Sequence, residues 1–128
     1  MQTLTQIALL VREYDEAIAW YCDVLGFELL EDTSLSETKR WVRVAPSGGS
    51  GAGLLLAKAK DDHQMAAIGN QSGGRVFLFL ETDDFDRDHT AYLERGVDFI
   101  ESPRLEAFGK VAVFRDLYGN LWDLIGRA

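Results

Sequence analysis

The apolar positions along the chain fall into short blocks whose period keeps changing. In "TQIALLV" residues 7–11 are all apolar, and residues 4–11 read as a buried strand. The next block has a helical period. Tyr14, Ala17, Ile18, Tyr21 and Leu25 stand at i, i+3, i+4, i+7 and i+11, one face of a helix over about 13–25. Gly26 closes it as a left-handed cap would. "FELLED" returns to alternation and reads as a strand. "KRWVRVA" and "GLLLAK" read as two more, with "PSGGSGAG" as their turn. Residues 58–74 are polar with little periodicity and read as a connector.

The plan then repeats. "RVFLFLE" is a strand of β-branched and aromatic residues. "DDFDRDHTAYLERG" is a helix capped by Asp at its start and closed by Gly96, with an apolar stripe of Phe85, Tyr92 and Leu93 and with His89 on the same face. "VDFIE", "KVAVFR" and "NLWDLI" supply three strands. Pro103 and "DLYGN" interrupt them, with Gly119 or Asn120 expected at positive φ. "REYDEA" aligns with "DDFDRD" without gaps, so Tyr14 pairs with Phe85 at a shift of 71 residues. Such a repeat sets the fold argument. The expected class is α+β: two βαβββ modules of curled mixed sheets around a cleft, in one domain over 1–128. Module 1 covers about 1–57, the connector 58–74 and module 2 about 75–128. Each helix covers one face of its sheet. The free faces, from two halves or two chains, must find other cover, and a cleft between them is the expected ligand site.

Composition narrows the partners. A chain of 128 residues can bury a real core. It holds 21 acidic and 13 basic residues for a net charge of −8, which makes nucleic acid and anionic membranes poor partners. No apolar run reaches membrane-spanning length. "MQTLTQIALLVRE" has neither a basic segment nor a small-residue cleavage site, the pattern expected without a signal peptide. Cys22 is the one cysteine and has no internal disulfide partner, which fits the cytoplasm.

"QIALLVREYDEAIAWYCDVLGFELLED" and "AVFRDLYGNLWDLI" resemble the two signature segments of the vicinal oxygen chelate superfamily. That group includes glyoxalase I, extradiol dioxygenases and bleomycin-resistance proteins. The resemblance implies a homodimer. In metal-using members it also implies one divalent ion, held by His, Gln or Glu on the first and fourth strands of each half. The ion would act as a Lewis acid on two adjacent substrate oxygens. Carried over one position at a time, the first donor is Gln6, and its repeat-mate is Phe77. The last-strand donor is Asp123 in "NLWDL", where a glutamate is usual. Its repeat-mate is Leu55. Phe and Leu cannot ligate. Gln6 and Asp123 thus form an incomplete set for Zn, Ni, Mn or Fe, since a catalytic zinc normally has three protein ligands. His63 falls in the connector. His89 falls on the second helix, on the far side of the sheet.

Strand alternation sorts the remaining lining. Gln6, Ala8 and Leu10 share the cleft face, as do Leu121, Asp123 and Ile125. Trp41 and Arg43 oppose the core residues Val42 and Val44, and Phe77, Phe79 and Glu81 share a face. The implied ligand contacts are Gln6, Trp41, Arg43, Leu55, Phe77, Phe79 and Asp123. Such a lining suits a planar molecule with one polar head. A structural reading stands beside each: Asp123 paired with Arg43, the aromatics as core or dimer packing, His89 as a hydrogen-bonded helix residue, Cys22 inert. Neither a phosphate loop nor a nucleophile–base arrangement is present. Three functions remain open: a bleomycin-resistance-type small-molecule binder, a metal-dependent lyase, isomerase or dioxygenase, and a non-catalytic interaction module.

Overall fold

The computed structural model describes residues 1–127. The chain divides into two compact units, one from Met1 to Ile68 and the other starting at Gly69. The first contains β1 (Gln6–Val11), α1 (Tyr14–Ala19), a π-helical turn (Trp20–Val24), β2 (Glu28–Ser34), β3 (Arg40–Ala45), β4 (Gly53–Lys58) and α2 (Asp62–Ala67). The second contains β5 (Val76–Thr82), α3 (Phe85–Glu94), β6 (Asp98–Phe99), β7 (Arg104–Glu106), β8 (Gly109–Arg115) and β9 (Leu121–Arg127). Each has an open mixed sheet. The first runs β1-β4-β3-β2 and the second β5-β9-β8-β6, with β7 also on β8. In both, only the pair joining first and last strand is parallel. The α+β class and the two-module plan are those expected from the sequence.

In the first unit the alternation puts Leu9, Val11, Val42, Val44, Leu54 and Leu56 in the core, together with Tyr14, Ala17, Tyr21 and Leu25 of the helical segment. Fully burying one such aliphatic side chain contributes about 1.5–3 kcal/mol, so this layer holds the unit together. In the second unit the same layer is aromatic. Phe114 stacks on Trp122 at 5.9 Å between centroids, and Tyr92 meets Phe114 edge-on at 5.8 Å. Burial pushes the Tyr92 hydroxyl up to about 12. His89 stacks on Phe85 at 5.3 Å and meets Phe99 at 4.5 Å, so it belongs to this packing. Gly126 lets α3 come close: a Cβ there would lie 2.6 Å from that of Phe85.

The repeat holds in register. Ile7, Ala8 and Leu9 oppose Leu54, Leu55 and Leu56; Leu78, Phe79 and Leu80 oppose Trp122, Asp123 and Leu124. Leu55 and Asp123 are therefore equivalent positions. The helix ends match too. Gly26 and Gly96 take φ of +75° and +84°. Phe27 N–H donates to the Tyr21 carbonyl at 2.9 Å, and Val97 N–H to the Tyr92 carbonyl at 2.9 Å. The first closure spans one residue more than the second. The π turn takes up that residue.

Four local expectations change. The connector contains α2, because Asp61 caps it by accepting from Gln64 N–H at 2.8 Å while the Gln64 side chain accepts from Lys60 N–H at 3.0 Å. "VDFIE" is not one full strand. Only Asp98 and Phe99 ladder with β8, Pro103 has no N–H to offer, and pairing resumes as the extra strand β7. Leu93 is 51% exposed and lies outside the α3 stripe. A bulge between Val76 and Leu78 breaks the β5 alternation at Phe77, so Phe77, Phe79 and Glu81 do not form one regular row. The "DLYGN" turn is tight as expected, with Gly119 at φ +103°.

Candidate functional site

The face of the first sheet opposite the helix is the candidate surface. Ala8, Leu55, Arg43 and Glu31 run across it in one register row; Leu10 opposes Ala57, and Trp41 opposes Thr33. The side chains opposite, Val42, Val44, Leu54 and Leu56, are buried under α1, which leaves Trp41, Arg43 and Leu55 half-buried on this side. Arg43 finds an ion-pair partner in the same row, Glu31 at 3.7 Å. Where the β2–β3 hairpin and the segment after β4 meet the end of this sheet, beside Tyr14 of α1, there is a concavity of about 560 Å³. Trp41, Leu55 and Ala57 line it from the sheet, Lys39 from the hairpin, and Lys60 and Gln64 from the α2 start. The volume falls in the range of small-molecule sites.

The charges around it divide into two classes. The Arg40 guanidinium bonds Asp32 at 2.7 Å and Asp15 at 2.8 Å and lies 5.1 Å from the Tyr14 ring centre. Hydrogen bonding to Arg40 holds the Asp32 carboxyl below its ordinary value. Lys58 meets Glu13 at 3.2 Å. Lys39 and Lys60 have no ion-pair partner among the described residues. No lining residue is acidic.

The open face of the second sheet carries a different group. Asp123 stands between Phe79 on β5 and Val113 on β8, while its neighbours Trp122 and Leu124 are buried on the other side. Its Oδ1 is buried with no hydrogen-bond partner among the described residues. Desolvation pushes its carboxyl up; Arg104 pulls it down and Glu101 pushes it further up. Glu101 accepts from Val113 N–H at 3.1 Å and from Arg104 Nε at 3.0 Å. Phe79 is 64% exposed, and Glu81 bonds Arg127.

Comparison with known proteins fixes the lineage. The family model described as Glyoxalase/Bleomycin resistance protein/Dioxygenase superfamily matches residues 3–124. The chain belongs to that superfamily. An uncharacterized protein of Shewanella frigidimarina (strain NCIMB 400) is 54% identical over 125 residues, covering 97% of this chain and 93% of its own. Among solved structures, UcmS2 superposes with a TM-score of 0.84 at 26% identity, covering 98% of both chains. TnmS3, an antibiotic binding protein from Streptomyces sp. CB03234, superposes with a TM-score of 0.81 at 28% identity, covering 100% of this chain and 98% of its own.

For a superfamily member the donor set can be tested on its own chemistry. The shared register makes Leu55 the counterpart of Asp123, and a hydrocarbon there offers no donor. Phe77, the counterpart of Gln6, sits at the β5 bulge and offers none either. Beside Asp123 the charge is met by Arg104, a cation already paired with Glu101. No group of three His, Cys, Asp or Glu able to hold an ion occurs among the described residues. Gln6 and Asp123 therefore do not make a site that fits a resident divalent ion. His63 lies exposed on α2, and desolvation, then Asp23, raises the Cys22 thiol.

Of the residues expected as ligand contacts, Trp41 and Leu55 line the concavity. Gln6 and Arg43 share its sheet without lining it, and Phe77, Phe79 and Asp123 belong to the second sheet. Lys39, Lys60 and Gln64 were missed. The capping pattern Asp61-x-x-Gln64 could have found the last two, since it ends the connector's disorder of period just after "KAK".

Proposed function

We propose that the protein is a binder of a small, aromatic or partly apolar molecule, of the bleomycin-resistance type, working without a resident metal. The carrying observation is the 560 Å³ concavity with Trp41 and Leu55 on one wall and polar side chains at its rim. The likeness to TnmS3, an antibiotic binding protein, supports the same reading. Trp41 offers a flat apolar surface. Asp123, whose Oδ1 is buried with no hydrogen-bond partner among the described residues, is a second contact to be tested separately. Gln6, Arg43, Phe77 and Phe79 complete the proposed contacts. The homodimer belongs to this proposal as well, with the exposed Leu29 and Leu30 on edge strand β2 as surface for a second copy.

A thermal-shift screen of aromatic and antibiotic-like compounds tests the reading. At least one compound should raise the melting temperature of the wild-type protein and fail to do so in Trp41→Ala. A blank screen would overturn it. Detection of a stoichiometric divalent ion by elemental analysis, with stabilisation by Zn, Ni, Mn or Fe, would favour the metal-dependent lyase or dioxygenase instead.

A further inference from the structure

We infer that the ligand of the first-module concavity carries an anionic group, a carboxylate or sulfonate, on its flat apolar body. This rests on the reading of that concavity as a ligand site. The chain as a whole is strongly acidic, at −8. The concavity reverses that sign. Lys39, Arg40, Lys58 and Lys60 line it, and no acid does. Arg40 and Lys58 are already paired with Asp15, Asp32 and Glu13. Lys39 and Lys60 are left over.

Both stand on ordered backbone. Lys39 closes the β2–β3 hairpin: its carbonyl accepts from Leu35 N–H at 2.8 Å, and its own N–H donates to Ser36 Oγ at 3.1 Å. Lys60 donates its N–H to the Gln64 side chain at 3.0 Å. The nearest acid in sequence, Asp61, has its carboxylate turned to the α2 amide of Gln64. Two ammonium groups anchored at their backbones, beside a half-buried indole and with no internal counter-ion, match a planar anion. A neutral aromatic would use the Trp41 wall and leave the lysines idle. A cationic one would be repelled by them.

Three matched probes decide the point: 2-naphthoate, 2-naphthamide and protonated 2-naphthylmethylamine, titrated calorimetrically into the wild-type protein at low salt. Naphthoate should bind about 10-fold or more tighter than the amide, a difference of about 1.4 kcal/mol. Added salt should weaken naphthoate and leave the amide unmoved. In K39Q/K60Q the ratio of the two affinities should fall to near one, while K110Q, in the second module, should keep it. Lys39 and Lys60 are surface side chains, so an unchanged melting temperature will confirm that the double variant folds. An amide or ammonium binding as tightly as naphthoate overturns the anion inference and leaves the ligand-site reading standing. So does a double variant that keeps the preference. If none of the three binds and the broad screen is also blank, both fall.

Discussion

The two modules share a ladder, a helix position and a closing glycine, yet they have spent their open faces differently. The first keeps Leu55 where the second has Asp123, and builds a concavity with unpaired lysines at its rim. The second buries a carboxylate oxygen with no hydrogen-bond partner among the described residues and ties its neighbourhood with Glu101 and Arg104. The turns before the last strands diverge as well. Residues 46–52 of the first are a Gly/Ser-rich link. In the second, Asp116 is buried and its carboxylate accepts from the backbone N–H of Tyr118, Gly119 and Asn120 and from the Asn120 amide. The second turn is thus tied by one buried carboxylate, whereas the first has only the exposed Ser47–Glu28 side-chain hydrogen bond, at 2.8 Å, among the described residues.

The sharpest break of that comparison is Asp116→Ala. It strips the second turn of its acceptor and leaves buried amides unpaired, so a loss of about 3 kcal/mol is expected in urea unfolding. A loss below about 1 kcal/mol would mean the two turns are equally dispensable. Next is Gly69→Ala. An added Cβ would lie 2.0 Å from the Tyr118 carbonyl at a φ of +78°, both hostile to a side chain. About 2 kcal/mol should be lost.

Asp123→Leu copies the first module into the second. The folded-state carboxyl sits above its ordinary value, so the ionised form is the one folding disfavours. Its penalty is absent below the ordinary carboxylate range and grows as pH rises through the raised value. The variant should gain about 1 kcal/mol at neutral pH, shrinking as the pH falls toward 4. Melting curves across that range check it; a variant less stable at pH 7 would show that Asp123 serves the fold. The smallest effect belongs to the first turn. Deleting Gly48 and Gly49 should cost under about 1 kcal/mol in the same unfolding assay, because loop length weighs only logarithmically.

The core was legible because burial imposes a period: Leu9, Val11, Val42 and Val44 could be placed by alternation alone. The repeat was legible from Tyr14 and Phe85, and with it the equivalence of Leu55 and Asp123. What escaped depends on single hydrogen bonds or on one missing donor. A capped six-residue helix with no apolar face leaves no period to read. The split after Phe99 follows from a lone proline. The β5 bulge shifts Phe77 out of phase with no change in residue type. The lysines were unreadable as a rim until α2 fixed the path of residues 58–64.

The wide turn at Trp20–Val24 records something the sheets conceal. From Tyr21 to Tyr92 the halves differ by 71 positions, but from Gly26 to Gly96 by 70. The first half therefore carries one residue more than the second inside this helical stretch, where an added residue ordinarily turns everything downstream by about 100°. The helix absorbed it within one turn, and Phe27 still enters the core as Val97 does. Length polymorphism in this stretch should accordingly be tolerated among relatives without disturbing the strands on either side.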